Sequence, residues 1–111
     1  MQRKPKRERN DMSKTIFMIH GMWGTPWYWE YYRNYFKEKG YQFLTPTLRY
    51  HDMNPGDLPD PRLGTTSLLD YAADLEREIG QLDEKPIIMG HSMGGLLAQM
   101  LGSRGLGQSL V

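Results

Sequence analysis

The order of hydropathy patterns along the chain predicts an α/β fold, a doubly wound parallel sheet with helices on both faces. Three observations carry that expectation. Short continuous apolar runs closed by glycine, "TIFMIHG" and "KPIIMG", have the pattern of strands buried on both faces. Around them lie segments with apolar residues at helical spacing, "TPWYWEYYRNYFKEKG" and "SLLDYAADLEREIGQL". Strict alternation of the two kinds requires right-handed crossovers, which cover both sides of a parallel sheet.

The elements follow in the order β-α-β-α-β-α. "TIFMIHG" is the first strand. A helix over about 26–39 comes next, with Thr25 as N-cap, Pro26 at the first helical position and Gly40 as its stop after Lys37 and Lys39. "YQFLTPTL" reads as the second strand, and the Pro/Gly-rich "HDMNPGDLPDPRLGTT" as a long surface connection. In the second helix Ser67 and Asp70 are spaced as a capping box, with Leu68, Ala72, Leu75 and Ile79 on one face. "KPIIMG" is the third strand, "SMGGLLAQMLGSRG" the third helix, and "GQSLV" the opening of a fourth strand. As the reading stands, the third strand lies at or near an open sheet edge, with Ile87, Ile88 and Met89 poorly shielded.

Composition bounds the function. A chain of 111 residues is the size of one domain, and it contains no cysteine, which excludes disulfides, a thiolate nucleophile and a cysteine metal site. Residues 1–11 carry five bases against two acids, leaving nine against eleven in the body. Residues 1–13 therefore read as a basic flexible tail, solvated rather than a nucleic-acid arm, because acids interrupt it and no aromatic residue interleaves. No apolar run approaches 18 residues, so neither a membrane span nor a signal peptide is expected, and the cytoplasm is the default. Nothing in the sequence sets an oligomeric state.

In an open parallel sheet ligands bind beyond the carboxyl ends of the strands. Those ends are "HGMWG", "RYHD" and "GHSMGG". In the last, Gly90, Ser92 and Gly94 form G-x-S-x-G between a strand and a helix, the spacing of a nucleophile elbow. The turn is so tight that the positions two before and two after the serine cannot carry bulk. The serine is held in a strained conformation that lifts its hydroxyl clear of the sheet. Attack on an ester carbonyl leaves negative charge on its oxygen, and rigid backbone N–H groups answer that charge. One comes from Met93. The other comes from Met22, since Gly21 lets the backbone approach closely, with His20 bonded within the turn.

These residues resemble the α/β-hydrolases, and among them the esterase, monoacylglycerol-lipase and haloperoxidase-like members. The resemblance covers about residues 14–111, with "IHGMWGTPWYW" similar to the family's oxyanion strand-turn-helix and "IIMGHSMGG" to its elbow. It implies a partial α/β-hydrolase fold, Ser92 as nucleophile, the N–H groups of Met22 and Met93 as oxyanion hole, and Trp23 near an acyl pocket. It implies a small-molecule ester or lipid substrate, an acyl-enzyme and no cofactor; the three histidines lack metal-ligand spacing, so no metal is expected, and the tail gives no nucleic-acid partner.

One feature departs from the family pattern, which places Asp or Glu and then His after the serine. After Ser92 the sequence has no Asp, Glu or His. An alcohol without a base is a weak nucleophile, so the expectation is an N-terminal fragment, inactive alone. His51 with Asp52 is the upstream alternative for the base, while His91 should point away from Ser92. A binding protein without hydrolytic activity, and an acyltransferase or perhydrolase on the same elbow, remain alternative functions. The aromatic residues Trp29, Tyr32 and Phe36 fall at helical spacing and read as packing against the sheet. Met18, Met89, Met93 and Met100 read as core.

Overall fold

The structure is a computed structural model, and it describes residues 14–21, 29–52 and 57–111. The basic tail and the Thr25–Pro26 helix start lie outside the described residues. Four parallel strands form one sheet in the order β2-β1-β3-β4, where β1 is Thr15–Ile19, β2 Gln42–Leu44, β3 Ile87–Gly90 and β4 Ser109–Leu110. Helices α1 (Glu30–Glu38), α2 (Leu68–Ile79) and α3 (Met93–Ser103) connect them. The chain steps from β1 to β2 on one side of the sheet and then crosses β1 to reach β3. That reversal puts the switch point, where such sheets bind ligands, between the carboxyl ends of β1 and β3.

The crossover direction decides which face each helix covers. On one face Phe17, Ile19 and Ile88 pack with Leu75 and Ile79 of α2 and Leu97 and Leu101 of α3. On the other, Ile16, Met18 and Phe43 meet Trp29 and Phe36 beside α1. β1 alternates its side chains between the two faces, and both are apolar, which is why its sequence reads as a continuous run. The α1 face is the thinner one: no α1 residue is buried, and Tyr32, expected to pack, is half exposed against the Trp29 ring. Met18 is buried, while Met89, Met93 and Met100 are partly buried against the two clusters.

The element ends have local causes. Ser67 caps α2 by accepting from the Asp70 N–H, and the Asp70 carboxylate accepts from the Ser67 N–H. α1 ends where Gly40 takes φ 88°, a left-handed position that glycine adopts without strain. β2 stops at Leu44, shorter than expected, because Pro46 has no N–H for the ladder. The long connection is not wholly irregular: Pro61–Thr65 form a 3₁₀ turn capped by the Asp60 side chain.

β3 lies one strand in from the edge, near it as expected, but the shielding expectation is corrected for Ile88. β4 pairs with it at Ile87↔Ser109 and Ile88↔Leu110, with Val111 continuing the hydrogen bonds to Ile88 and Gly90. Ile88 is 0% exposed, and Ile87 and Met89 are partly covered. The short segment Leu106–Gln108 turns the chain back beside β3, and a two-residue strand gives little periodicity to read.

Candidate active site

Only His91 and Ser92 separate the last residue of β3 from the first of α3. A connection that short forces unusual backbone, and Ser92 takes φ 58°, ψ −123°. Left-handed φ in a residue with a Cβ costs on the order of 1–3 kcal/mol and persists only where the surroundings impose it. Here they do. A Cβ on Gly90 would lie 2.2 Å from the Gly94 carbonyl oxygen, and one on Gly94 would lie 2.1 Å from the Ile19 carbonyl oxygen. Both positions must lack a side chain for the turn to close over the end of β1. The turn is then pinned by hydrogen bonds from the His91 N–H to Ile19 O (3.1 Å), Gly94 N–H to His91 O (2.9 Å) and Gly95 N–H to Ser92 O (2.8 Å). Among the described residues the Met93 N–H has no backbone acceptor, as befits the first donor of a helix.

Ser92 is exposed, and its hydroxyl makes no cap bond to α3. The turn after β1 comes directly against it: a Cβ on Gly21 would stand 3.0 Å from Ser92 Cβ and 3.5 Å from Ser92 Oγ. The structure thus brings His20, Gly21, Gly90, Ser92, Met93 and Gly94 together. Met22 and Trp23, the other two expected site residues, lie outside the described residues. His91 is exposed and turns its ring onto Trp29, with centroids 5.5 Å apart.

His20 is almost wholly buried and bonds on both sides of its ring. Nδ1–H donates to the Gly21 carbonyl at 2.8 Å, and Nε2 accepts from the Leu48 N–H at 3.1 Å. Burial holds its pKa below the ordinary imidazole value, opposed by the Gly21 hydrogen bond and reinforced by His51. The ring is therefore neutral at pH 7. His51 is 0% exposed beneath it, with ring centroids 5.2 Å apart, and Asp52 is exposed. Among the described residues neither makes a hydrogen bond to Ser92, so the upstream pair gains no geometric support as base.

Sequence reasoning missed the turn that carries His51. Leu48–His51 closes with the His51 N–H on Leu48 O at 3.0 Å, and Tyr50 takes φ 66°. Arg49 reaches across to α2 and forks onto Asp74 at 2.7 and 2.9 Å. Those bonds hold the Asp74 carboxyl below the usual carboxylate range. No spacing in "LRYHD" announces a left-handed tyrosine; only a contact between elements distant in sequence reveals it.

Among the described residues no helix is long and apolar enough to cross a membrane, and no group of three or more His, Asp or Glu could hold a metal ion.

Residues 16–111 match the family model described as the alpha/beta hydrolase family. No curated protein matches the chain. Among solved structures it is similar to the thioesterase domain from the curacin biosynthetic pathway, at 25% identity and TM-score 0.73, over 86% of this chain and 36% of that one. An extracellular alpha/beta-hydrolase from a Paenibacillus species matches at 22% identity and TM-score 0.68, over 86% and 37% of the two chains. Polyneuridine aldehyde esterase matches at 22% and 0.66, over 89% and 39%. The chain spans a little over a third of the length of these structures. The match to the family model over nearly all the described residues, with a parallel sheet and a strained serine at its switch point, establishes that the chain belongs to the alpha/beta hydrolase family.

Proposed function

We propose that this chain carries the nucleophile and oxyanion hole of a serine hydrolase acting on carboxylic esters or lipids through an acyl-enzyme. The observation that carries the reading is the strained Ser92, exposed between two glycines that no side chain can replace, with the Gly21 turn against it. In the proposed reaction Ser92 Oγ attacks the carbonyl carbon while its proton passes to a base. The carbonyl oxygen, now negative, takes hydrogen bonds from the N–H groups of Met93 and Met22. Collapse expels the alcohol, and water then releases the acid by the same steps. The family membership and the likeness to a thioesterase domain support acyl chemistry of this kind.

Residues 93–111 supply no Asp, Glu or His. The proposed reaction needs a general base that residues 93–111 do not supply, and the chain matches a little over a third of the length of its structural relatives. The test is turnover of a short-chain chromogenic ester by the full-length protein and its Ser92→Ala variant. Loss of at least about 10⁴-fold in kcat with an unchanged melting temperature is expected, because only a hydroxyl is removed. Turnover retained by Ser92→Ala would place the nucleophile elsewhere.

A further inference from the structure

A buried polar cluster lies beneath the Gly21 turn, and the acyl-enzyme chemistry itself does not use it. Three elements build it: His20 after β1, the Leu48–His51 turn after β2, and Tyr71 in the first turn of α2. His51 is 0% and Tyr71 1% exposed. The hydrogen bonds fix where the protons sit. His20 Nε2 accepts from a backbone N–H, so the proton is on Nδ1. His51 Nδ1 lies 3.0 Å from the Arg49 carbonyl oxygen, which can only accept, so in the neutral ring Nδ1 carries the proton and Nε2 is the acceptor.

That acceptor is buried and without a partner among the described residues, and so is the Tyr71 hydroxyl. The two rings are in contact, edge to face, with centroids 5.9 Å apart. One group lacks a donor and the other is a donor; buried polar groups are rarely left unmet, because each would forfeit its hydration for nothing. The chain also holds Tyr50 in the left-handed region at φ 66°, and that turn faces His51 inward while Arg49 forks outward onto Asp74 of α2. Strain in a bulky residue points to a function for the turn that imposes it.

We infer that Tyr71 and His51 are positioning residues for the Ser92 site: one bridging water carries the Tyr71 hydroxyl's hydrogen bond to His51 Nε2, and the pair props the His20 ring that holds the Gly21 carbonyl. Fixing the Gly21 carbonyl holds in place the turn that stands against Ser92, where a Cβ on Gly21 would lie 3.0 Å from Ser92 Cβ. This rests on the reading of Ser92 given above. α2 would then act on the reaction through a chain of contacts without touching substrate.

The experiment compares wild type with Tyr71→Phe in the full-length protein, by nitrogen-15 NMR of the imidazoles and by ester turnover. The inference predicts His51 protonated on Nδ1, and a His51 Nε2 signal that moves toward the free-acceptor value in Tyr71→Phe. It predicts kcat lowered about tenfold with KM unchanged, the scale of one lost hydrogen bond. His51→Gln should lower kcat at least as far. An unmoved Nε2 signal, or an active Tyr71→Phe with wild-type kcat, overturns the inference and leaves the Ser92 reading intact. A wild type without Ser92-dependent turnover overturns the Ser92 reading itself, and the positioning role with it, even where the Nε2 signal moves.

Discussion

Two residues other than glycine hold a positive φ among the described residues, Ser92 at 58° and Tyr50 at 66°, both beyond carboxyl ends of strands. They are held by different means. The Ser92 turn is clamped by backbone on backbone: Gly90 against the Gly94 carbonyl, Gly94 against the Ile19 carbonyl. The Tyr50 turn is held by side chains, with Arg49 on Asp74, the Arg62 guanidinium 4.2 Å over the Tyr50 ring, and the His51 ring under His20. A backbone clamp tolerates no added atom and cannot be loosened by titration. A side-chain clamp can be weakened stepwise.

The largest effect expected from this difference is at the elbow. Gly94→Ala puts a methyl 2.1 Å from a carbonyl oxygen that is itself tied into β1, so the turn must open or the sheet must shift. A loss on the order of 4 kcal/mol in urea unfolding is expected, the scale of severe overpacking; Gly94→Val should be at least as damaging, and unchanged stability in either would refute the clamp.

Next in size is a pH effect at His20, whose Nε2 accepts from the Leu48 N–H of the other turn. His20 has a folded-state pKa below its ordinary value near 6.5, so the unfolded chain binds the extra proton first as pH falls. The contribution of neutral His20 is complete above about pH 6.5 and is lost as pH drops from there toward the lowered folded value. Within that window stability should fall by up to about 1.4 kcal/mol per pH unit. Amide exchange locates it: the Leu48 N–H, which bonds His20 Nε2, should lose protection before the Gly94 N–H. Equal loss at both would erase the distinction.

The smallest effect is at Tyr50 itself. Tyr50→Asn keeps a residue that tolerates the left-handed region but removes the ring under Arg62. Relief of strain and loss of a cation–π contact oppose each other, so stability should stay within about 0.5 kcal/mol of wild type. A loss comparable to Gly94→Ala would mean that the two turns are held alike.

The same contrast explains what could be read in advance. The tight turn at Ser92 was legible because its constraint is local: the residues that must be small lie two positions either side of Ser92, and the strand and helix that flank it have their own periodicity. The capping box at Ser67 and Asp70 and the stop at Gly40 were legible for the same reason. The Tyr50 turn was not, because its partners Asp74, Tyr71 and His20 lie 20 or more residues away in sequence. Nor was the full burial of Ile88, which depends on pairing with a two-residue strand. α1 was expected to begin near residue 26, and its described part begins at Glu30 after Trp29, which offers no side-chain cap bond.

The central claim is that the strained Ser92 is the nucleophile. Its most direct test is exposure of the full-length protein to a fluorophosphonate, followed by mass spectrometry of the intact protein and of the peptide spanning Ile87–Met100. The account predicts a single phosphonyl adduct on Ser92, absent in Ser92→Ala although that variant folds. An adduct on another residue, or none on a folded protein that still hydrolyses esters, would contradict it.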